Sequence, residues 1–256
     1  MSKYLVNVYK WDDPSVYEGQ GDFSDGDTVV VECEIGKDIG TVISVADDGK
    51  ESQYRVLRKA TKRDVETFND NNEKKSDIFD IAHKEVKRMG IEMKLVDAHV
   101  SLEKNIIIAF TADGRVDFRQ LVKNLSKIFQ CLVRMRQIGS RDEARKLGGC
   151  GICGRELCCA KFPGSIPSIS TEMAKIQQVS HRGSERISGL CGRLMCCLSY
   201  ESEQYRELLK GMPELYSRIR TRNIEGDVIE INAIKQEVKV RTKDKQIVTI
   251  KKEDLK

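Results

Sequence analysis

Features typical of secreted and membrane-spanning proteins are missing from this sequence. Its longest uninterrupted apolar run, Ile106 to Phe110, is far too short to cross a bilayer. The first residues, MSKYLVNVYKW, lack the basic start, apolar middle and small-residue cleavage site of a secretory signal. We therefore expect a cytoplasmic protein in a reducing compartment, without membrane insertion.

The motifs of common enzyme classes are missing as well. The sequence contains no GxxxxGKS/T, HExxH or GxSxG phrase. Only three histidines, His83, His99 and His181, are available for general-base or zinc chemistry. We expect His83 and His99 to be structural or solvated, and His181 to be a candidate neighbour of the cysteines described below. The chain is predicted not to be an enzyme.

The length of 256 residues is enough to bury a core without crosslinks. β-Branched runs separated by turn residues predict a small β-barrel-like unit over residues 1–60. The order helix, strand, strand, helix, strand predicts a compact central domain over 61–146, with both helices on one sheet face. A Cys-rich region of Gly-rich loops and short helices follows over 147–215, and strand patterns predict a small C-terminal β-barrel over 216–256. The predicted fold class is α+β.

Apolar spacing and helix-end residues predict the two helices of the central domain. After Arg58 the pattern is that of a polar helix with apolar residues three and four apart, ended by Gly90. Asp117 with Gln120 resembles a capping box, which would begin the second helix. Both helices are amphipathic and are expected to pack on the sheet.

The cysteines are concentrated in one part of the chain. Seven of the nine lie within a 48-residue window that also contains a duplicated phrase, GICGRELCC at 151–159 and GLCGRLMCC at 189–197. Six of the nine positions of the phrase are identical. Each copy offers a loop cysteine, followed five residues later by an adjacent pair. In a reducing compartment this pattern needs an explanation other than disulfides.

Thiolates are soft ligands that bind zinc or iron–sulfur clusters. Adjacent cysteines fit a single zinc tetrahedron poorly, whereas a cubane cluster is larger and is commonly held from separated points. Four thiolates drawn from both copies therefore favour a 4Fe-4S cluster, with zinc as the alternative. Two other interpretations stay open: some cysteines are buried core residues, or the paired thiols belong to a redox enzyme.

Charged residues accompany the cysteines. Arg155 and Arg193 occupy the same position in the two copies, where a guanidinium would offset the negative charge of thiolates around a cluster. The alternative for both is ordinary solubilising charge. Their matched placement favours a role beside the cluster.

Positive charge is concentrated in the second half of the chain. Residues 1–114 carry 16 Lys/Arg and 23 Asp/Glu, a net of −7, whereas residues 115–256 carry 28 and 17, a net of +11. Such an excess favours contact with an anion, either nucleic acid or an acidic protein surface. Five basic residues are candidate contacts for non-specific RNA, with a solvated face as the alternative: Arg134, Arg136, Arg141, Arg145 and Lys146. A zinc-stabilised RNA-binding module is accordingly the second functional hypothesis.

Several phrases together resemble one family of bacterial proteins. They are GRVDFRQLVKNL, RQIGSRDEARKLGG, CGRELCC, TEMAKIQ and ISGLCGRLMCCLSYE, and the similarity runs through nearly the whole chain. By these phrases the sequence is similar to the YaaT (RicT) family, whose members carry a polymerase-suppressor (PSP) C-terminal domain. Cys150 departs from the family's pattern, and so does the segment His181 to Gly183.

The resemblance implies a regulatory subunit of a cytoplasmic complex that carries iron–sulfur clusters. Proteins of this family join two small helical partners, the other Ric-complex subunits, and associate with the endoribonuclease RNase Y. Cleavage of polycistronic messages, sporulation, competence and biofilm formation depend on that complex. The family's cysteine pattern implies six metal ligands, with Cys150 as an additional candidate: Cys153, Cys158, Cys159, Cys191, Cys196 and Cys197.

Overall fold

The computed structural model describes residues 2–46, 52, 54–162, 166–180, 183–221 and 224–255. The chain divides into two compact units. The first contains residues 1–166 together with 190–193, and the second contains residues 167–189 together with 194–256. Each unit is described by itself below. The described residues include no helix that is both long and apolar enough to cross a membrane.

The first unit begins with a closed five-stranded barrel. Its strands are β1 (Ser2–Asn7), β2 (Ser15–Gly19), β3 (Thr28–Cys33), β4 (Gly36–Val45) and β5 (Tyr54–Lys59), joined in the order β1-β2-β5-β3-β4. Antiparallel pairing of β1 with β4 closes the barrel. Alternate residues of the strands point inward, which buries Val29, Val31 and Val42 in the barrel core. The predicted N-terminal barrel-like unit is thereby confirmed.

A helical segment and a three-stranded sheet follow the barrel. The elements are α1 (Lys62–Glu73), α2 (Lys75–Met89), β6 (Lys94–Val100), β7 (Ile106–Thr111), α3 (Arg119–Phe129) and β8 (Val133–Gln137). The sheet order is β6-β7-β8, with β6 antiparallel and β8 parallel to β7. The single helix predicted after Arg58 is two helices, because the chain breaks at Lys74.

The helix ends follow their capping residues only in part. Gly90 ends α2 as predicted, with a left-handed φ of 64°. The predicted capping box of Asp117 and Gln120 is wrong, because α3 begins after Phe118 with no side-chain cap and Asp117 binds the guanidinium of Arg119. A capping box does form at the start of α1, from residue 61 and Asp64.

The central sheet has two covered faces within the first unit. Ile106, Ile108 and Phe110 of β7 pack against α2 and α3. The alternate residues Ile107 and Ala109 face the opposite way and pack against a cluster from the barrel side of the unit, Tyr9, Trp11 and Ile35. The helices therefore share one sheet face, as predicted, and the barrel covers the other.

A buried polar pair lies at the junction of the barrel and the sheet. His99 of β6 and Asp38 of β4 are 7% and 0% exposed, and His99 Nε2 lies 2.7 Å from Asp38 Oδ2. The second oxygen, Asp38 Oδ1, accepts a hydrogen bond from the backbone N–H of Ile39 at 2.9 Å. The Tyr9 ring packs edge-on against His99 with 4.9 Å between centroids. His99 is thus structural, and His83 is exposed on α2.

Five helices lie between residues 140 and 209 of the described chain. In the first unit these are α4 (Ser140–Leu147) and α5 (Cys158–Lys161). In the second unit they are α6 (Thr171–Ile176), α7 (Ser184–Ile187) and α8 (Cys197–Leu209). Ala174, Ile187 and Leu198 form a small core between the second unit's helices.

The second unit ends in a four-stranded antiparallel sheet. Its strands are β9 (Arg218–Arg220), β10 (Glu225–Asn232), β11 (Glu237–Thr242) and β12 (Ile247–Lys251), in the order β12-β11-β10-β9, followed by a 3-10 turn at Lys252–Leu255. Val228, Val238 and Val240 are fully buried on one face. The sequence predicts a barrel here, whereas the structure has an open sheet. Its edge strand β9 is only three residues long and offers few groups for closure.

Candidate metal centre

The two copies of the duplicated phrase fold into the same local structure. In the first copy an isolated β-bridge joins Cys150 to Glu156, and in the second a bridge joins the equivalent residues Ser188 and Leu194. Each bridge closes a tight five-residue loop that carries the first cysteine, Cys153 or Cys191. The similar sequences of the two copies are therefore matched by similar backbone structures.

Glycine is required at one position of each loop. Gly154 has a φ of 73° and Gly192 a φ of 74°, in the left-handed region where a Cβ is unfavourable. Both follow the loop cysteine directly. In the first copy the turn is also closed by a hydrogen bond from the N–H of Gly151 to the carbonyl oxygen of Arg155 at 2.8 Å. The glycines thus allow the chain to reverse immediately after Cys153 and Cys191.

Replacement of either glycine tests this conformation. Gly154→Ala and Gly192→Ala are each expected to lower the free energy of unfolding of the metal-free protein by about 1 kcal/mol, since an L side chain in the left-handed region costs roughly that much. Urea denaturation followed by circular dichroism measures the change. Gly114→Ala is the control, because a Cβ at Gly114 has open space and its φ is not left-handed. An equal loss of stability at all three positions would contradict the left-handed conformation of Gly154 and Gly192.

The adjacent cysteine pairs lie where each loop leads into a helix. Cys158 and Cys159 are the first residues of α5, and Cys196 immediately precedes α8, which begins at Cys197. Buried Leu157 anchors the first copy. Each cysteine pair therefore has a regular backbone conformation. It directly follows the loop that the β-bridge closes.

The nine cysteines, all among the described residues, form no disulfide. Cys150 and Cys153 are exposed, and Cys159 is buried. The other four cysteines of this region are half-buried: Cys158, Cys191, Cys196 and Cys197. Cys33 and Cys131, predicted to be core residues, are also half-buried. Cys33 donates a hydrogen bond to the carbonyl oxygen of Gly36 at 3.2 Å, as a structural thiol would.

The first unit brings one thiol from each copy within electrostatic range of the other. Burial raises the pKa of Cys159, the positive charge of Arg145 lowers it, and the charge of Cys191 raises it. Arg145 also fixes the backbone here, because its Nε–H donates to the carbonyl oxygen of Cys159 at 2.8 Å and its guanidinium lies 2.6 Å from Asp13. A positive charge is therefore held beside the buried thiol.

The thiols do not form a preassembled metal site. Within the described ranges, no group of three or more His, Cys, Asp or Glu side chains is placed to hold a metal ion. The donor chemistry nevertheless fits a soft metal or an iron–sulfur cluster, since every predicted ligand is a thiol and most lie on surface loops or helix starts. Four of the six predicted ligands belong to the first unit, and Cys196 and Cys197 belong to the second.

The two matched arginines have different surroundings. Arg155 is exposed on the turn of the first copy. Arg193 lies against the backbone of Gly139, where an added Cβ would be 3.0 Å from Arg193 Nη2. It lines an open groove of about 910 Å³ together with Glu92 and Glu143. Their predicted role beside a cluster stays a prediction.

Four of the five predicted RNA contacts are engaged in salt bridges within the first unit. The pairs are Arg134 with Glu34 at 3.4 Å, Arg136 with Asp12 at 2.6 Å, Arg145 with Asp13 at 2.6 Å, and Lys146 with Asp97 at 2.9 Å. The fifth, Arg141, is half-buried on α4. An anion would have to compete with these carboxylates. His181, the candidate neighbour of the cysteines, and Arg182 lie outside the described residues.

Comparison with known proteins gives two matches to protein families and one to a curated relative. The profile of the PSP1 C-terminal conserved region matches residues 54–138, and that of the PSP1-like protein, third domain, matches residues 168–212. The chain is 41% identical over 218 residues to "Stage 0 sporulation protein YaaT" of Bacillus subtilis (strain 168), which covers 83% of this chain and 79% of the relative. No solved structure matches.

Proposed function

This chain belongs to the YaaT family of PSP1 proteins, and on that premise we propose that it is a non-enzymatic adaptor subunit of a cytoplasmic complex. The complex would carry an iron–sulfur cluster and promote messenger RNA cleavage by an RNase Y-type endoribonuclease. Small helical proteins of the Ric-complex type would be its other subunits. The relative is named as a sporulation protein, which supports a role in developmental regulation for this chain.

The duplicated loop is the observation that carries the proposal. Two bridge-closed turns present a cysteine before a left-handed glycine, and each continues into a helix that begins at a cysteine pair. A packing role for these cysteines would not require the same turn twice. A thiolate site needs such turns, because glycine lets the backbone N–H groups approach anionic sulfur.

The number of thiols supports a four-iron cluster. Of the six predicted ligands, the first unit contains four, the number of thiolates that such a cluster takes from a protein: Cys153, Cys158, Cys159 and Cys191. Binding would deprotonate the thiols that hold the cluster. When bound, a cluster supplies a crosslink that is sensitive to oxygen and redox state. The remaining Cys196 and Cys197 would serve a second centre that a partner residue completes.

The positive charge of Arg145 would assist loading. Burial raises the pKa of Cys159, so its thiol resists deprotonation until the charge of Arg145 and a metal compensate. Arg145 is itself held by Asp13, which keeps its guanidinium in place before the metal arrives. Arg155 and Arg193 would add to this compensation if loading moves the loops toward each other.

Cleavage of a polycistronic message in cells tests the proposed function. Strains carrying Cys191→Ser or no copy of the chain are expected to accumulate the uncleaved message to a similar level. A Cys33→Ser strain is expected to resemble the wild type, because Cys33 lies in a barrel strand away from the duplicated phrase. Mapping of RNA 5′ ends measures the cleavage. Unchanged cleavage in the deletion strain would overturn the proposal.

The second candidate function is a zinc-stabilised RNA-binding module. It is favoured by the thiol chemistry, which suits zinc as well as iron, and by the net charge of +11 over residues 115–256. Such a module would hold zinc instead of an iron–sulfur cluster. It would act by binding RNA itself, whereas the adaptor would act through the other subunits of its complex. Stable zinc in protein purified without oxygen, with no iron, would favour the module over the adaptor.

A further inference from the structure

The outer face of the C-terminal sheet carries a row of charged side chains. Val228, Val240 and Ile250 point into the core of the second unit. In the strand register Asp227 of β10 pairs with Arg218 of β9 on one side and with Arg241 of β11 on the other. Because alternate residues of a strand face opposite ways, this row lies on the solvent side.

An open groove of about 580 Å³ runs along this end of the sheet. Its lining contains four basic side chains and a single acidic one, together with Gly226 and Thr242: Arg218, Arg241, Lys243, Lys245 and Asp227. Every charged member of the lining is exposed. The groove therefore presents an excess of positive charge to solvent.

Two of the four basic side chains are available to an external anion. Arg218 and Lys243 share one carboxylate, Glu225, at 3.1 and 3.2 Å. Arg241 and Lys245 take part in no salt bridge in the part of the chain that the structure describes. This distinguishes the groove from the five predicted RNA contacts of the first unit, four of which are paired with carboxylates.

Gly226 is required by the strand pairing beside the groove. A Cβ at this position would collide with the carbonyl oxygen of Arg241, because β10 and β11 approach each other closely there. Gly226 is itself buried, and by the alternation of the strand it faces the same side as Val228, opposite Asp227.

An exposed aromatic residue lies just before strand β9. Tyr216 is 77% exposed and lies two residues before Arg218. Its backbone N–H donates to the carbonyl oxygen of Val228 at 2.8 Å, so it is attached to β10 next to Asp227. Tyr216 has a φ of 66°, a conformation that is unfavourable for a bulky residue. The chain thus holds a flat ring in solvent at some conformational cost.

We propose that this face binds the phosphate backbone of single-stranded RNA, with Arg241 and Lys245 contacting phosphates and Tyr216 stacking on a base. Arginine recognises phosphate with two parallel hydrogen bonds, and lysine adds a mobile point charge. Exposed aromatic rings beside basic grooves are the usual platform for unpaired bases. An acidic protein surface would use the charges but would have no need of the ring.

The inference rests on the proposed role in RNA processing for its biological meaning. Binding itself requires only the second unit's surface residues and no metal. The adaptor would contact the message directly while its partners deliver the nuclease. Lack of sequence preference is expected, because backbone phosphates and stacking carry little base information.

Fluorescence anisotropy with a labelled single-stranded oligouridine tests the proposal on the full chain. The double variant R241Q/K245Q is expected to bind roughly 10-fold more weakly at moderate salt. Its plot of log affinity against log salt should be flatter by about 1.4, the value for two phosphate contacts on a single strand. Tyr216→Ala is expected to cost roughly 10-fold with an unchanged salt slope.

The control variant K235Q/K251Q removes the same charge from exposed lysines elsewhere on the sheet. It is expected to bind the oligouridine nearly as well as the wild type, with all variants showing the same circular dichroism. Equal weakening in both double variants would overturn the groove assignment. Binding of polyglutamate with the affinity of the RNA would also overturn it, in favour of an acidic protein partner.

Iron content measured on the same samples separates this inference from the proposed function. Iron-loaded wild-type protein that does not bind the oligouridine would overturn the RNA groove and leave the adaptor proposal standing. Iron-free protein that binds the oligouridine through Arg241 and Lys245 would support the groove and count against the iron–sulfur centre.

Discussion

Replacing Cys191 with Ser is expected to remove most of the iron and visible absorbance from the protein purified without oxygen. Cys191 is the loop cysteine of the second copy, and a thiolate there would raise the pKa of Cys159 in the first. A hydroxyl is a much harder and less acidic donor than a thiol, so serine would not replace the ligand. Iron, labile sulfide and the visible spectrum measure the loss.

Cys33→Ser is the matched control for that variant. Cys33 is also half-buried, lies in β3, and is occupied by a hydrogen bond to Gly36. Serine can keep this hydrogen bond with little change of volume. The control is expected to retain the iron content of the wild type. Equal iron in the two variants would remove Cys191 from the ligand set.

Asp38→Ala is expected to destabilise the first unit by about 3–5 kcal/mol, the usual cost of breaking a buried ion or hydrogen-bonded pair. The change leaves His99 Nε2 and the N–H of Ile39 without their common partner in a buried position. Each buried polar group left unsatisfied costs roughly 1–3 kcal/mol. The loss of the carboxylate also opens a cavity between the barrel and the sheet.

Urea denaturation followed by tryptophan fluorescence measures this effect. The chain has one tryptophan, Trp11, which is 1% exposed and packs 6.1 Å from the His99 ring between centroids. Asp117→Ala is the control, because it removes a carboxylate whose salt bridge with Arg119 is solvent-exposed. Unfolding of both variants at the same urea concentration would show that the buried pair contributes little.

Local patterns in the sequence predict the elements of the first unit well. Runs of β-branched residues in β3 and β4, separated by turn residues, are enough to indicate a small barrel-like unit, although both sides of these strands are buried. The apolar residues of α2 and α3 likewise identify the helix faces that pack on the sheet. The capping box predicted at Asp117 does not form, whereas one forms at Asp64 of a different helix, because so short a pattern does not by itself show where a helix begins.

Local sequence patterns do not predict contacts between residues that are far apart in the chain. Arg134 and Arg136 read as a basic run, yet each lies beside Glu34, about a hundred residues earlier in the chain. The periodicity of apolar residues also does not show whether the C-terminal strands form an open sheet or a barrel. It does not show which residue pairs with Arg241 either, because that depends on the register of the strands. Alternation of Val238 and Val240 with the charged residues Lys239 and Arg241 is the signal that could have indicated a charged outer face.

The duplicated phrase shows the reverse case, in which sequence repetition predicts structural repetition. Identical residues at the loop cysteine, the glycine and the arginine give equivalent bridges and nearly equal φ angles in the two copies. The identical residues of the two copies do not give their cysteine side chains the same degree of burial. The thiols of this region occupy exposed, half-buried and buried positions.

X-ray absorption at the iron and zinc edges of protein purified without oxygen is the most direct test of the metal centre. Our account predicts bound iron with sulfur as its nearest neighbours and a second shell of iron, the signature of a cluster held by thiolates. Iron-free protein with zinc bound to four sulfurs, or protein with neither metal, would contradict it.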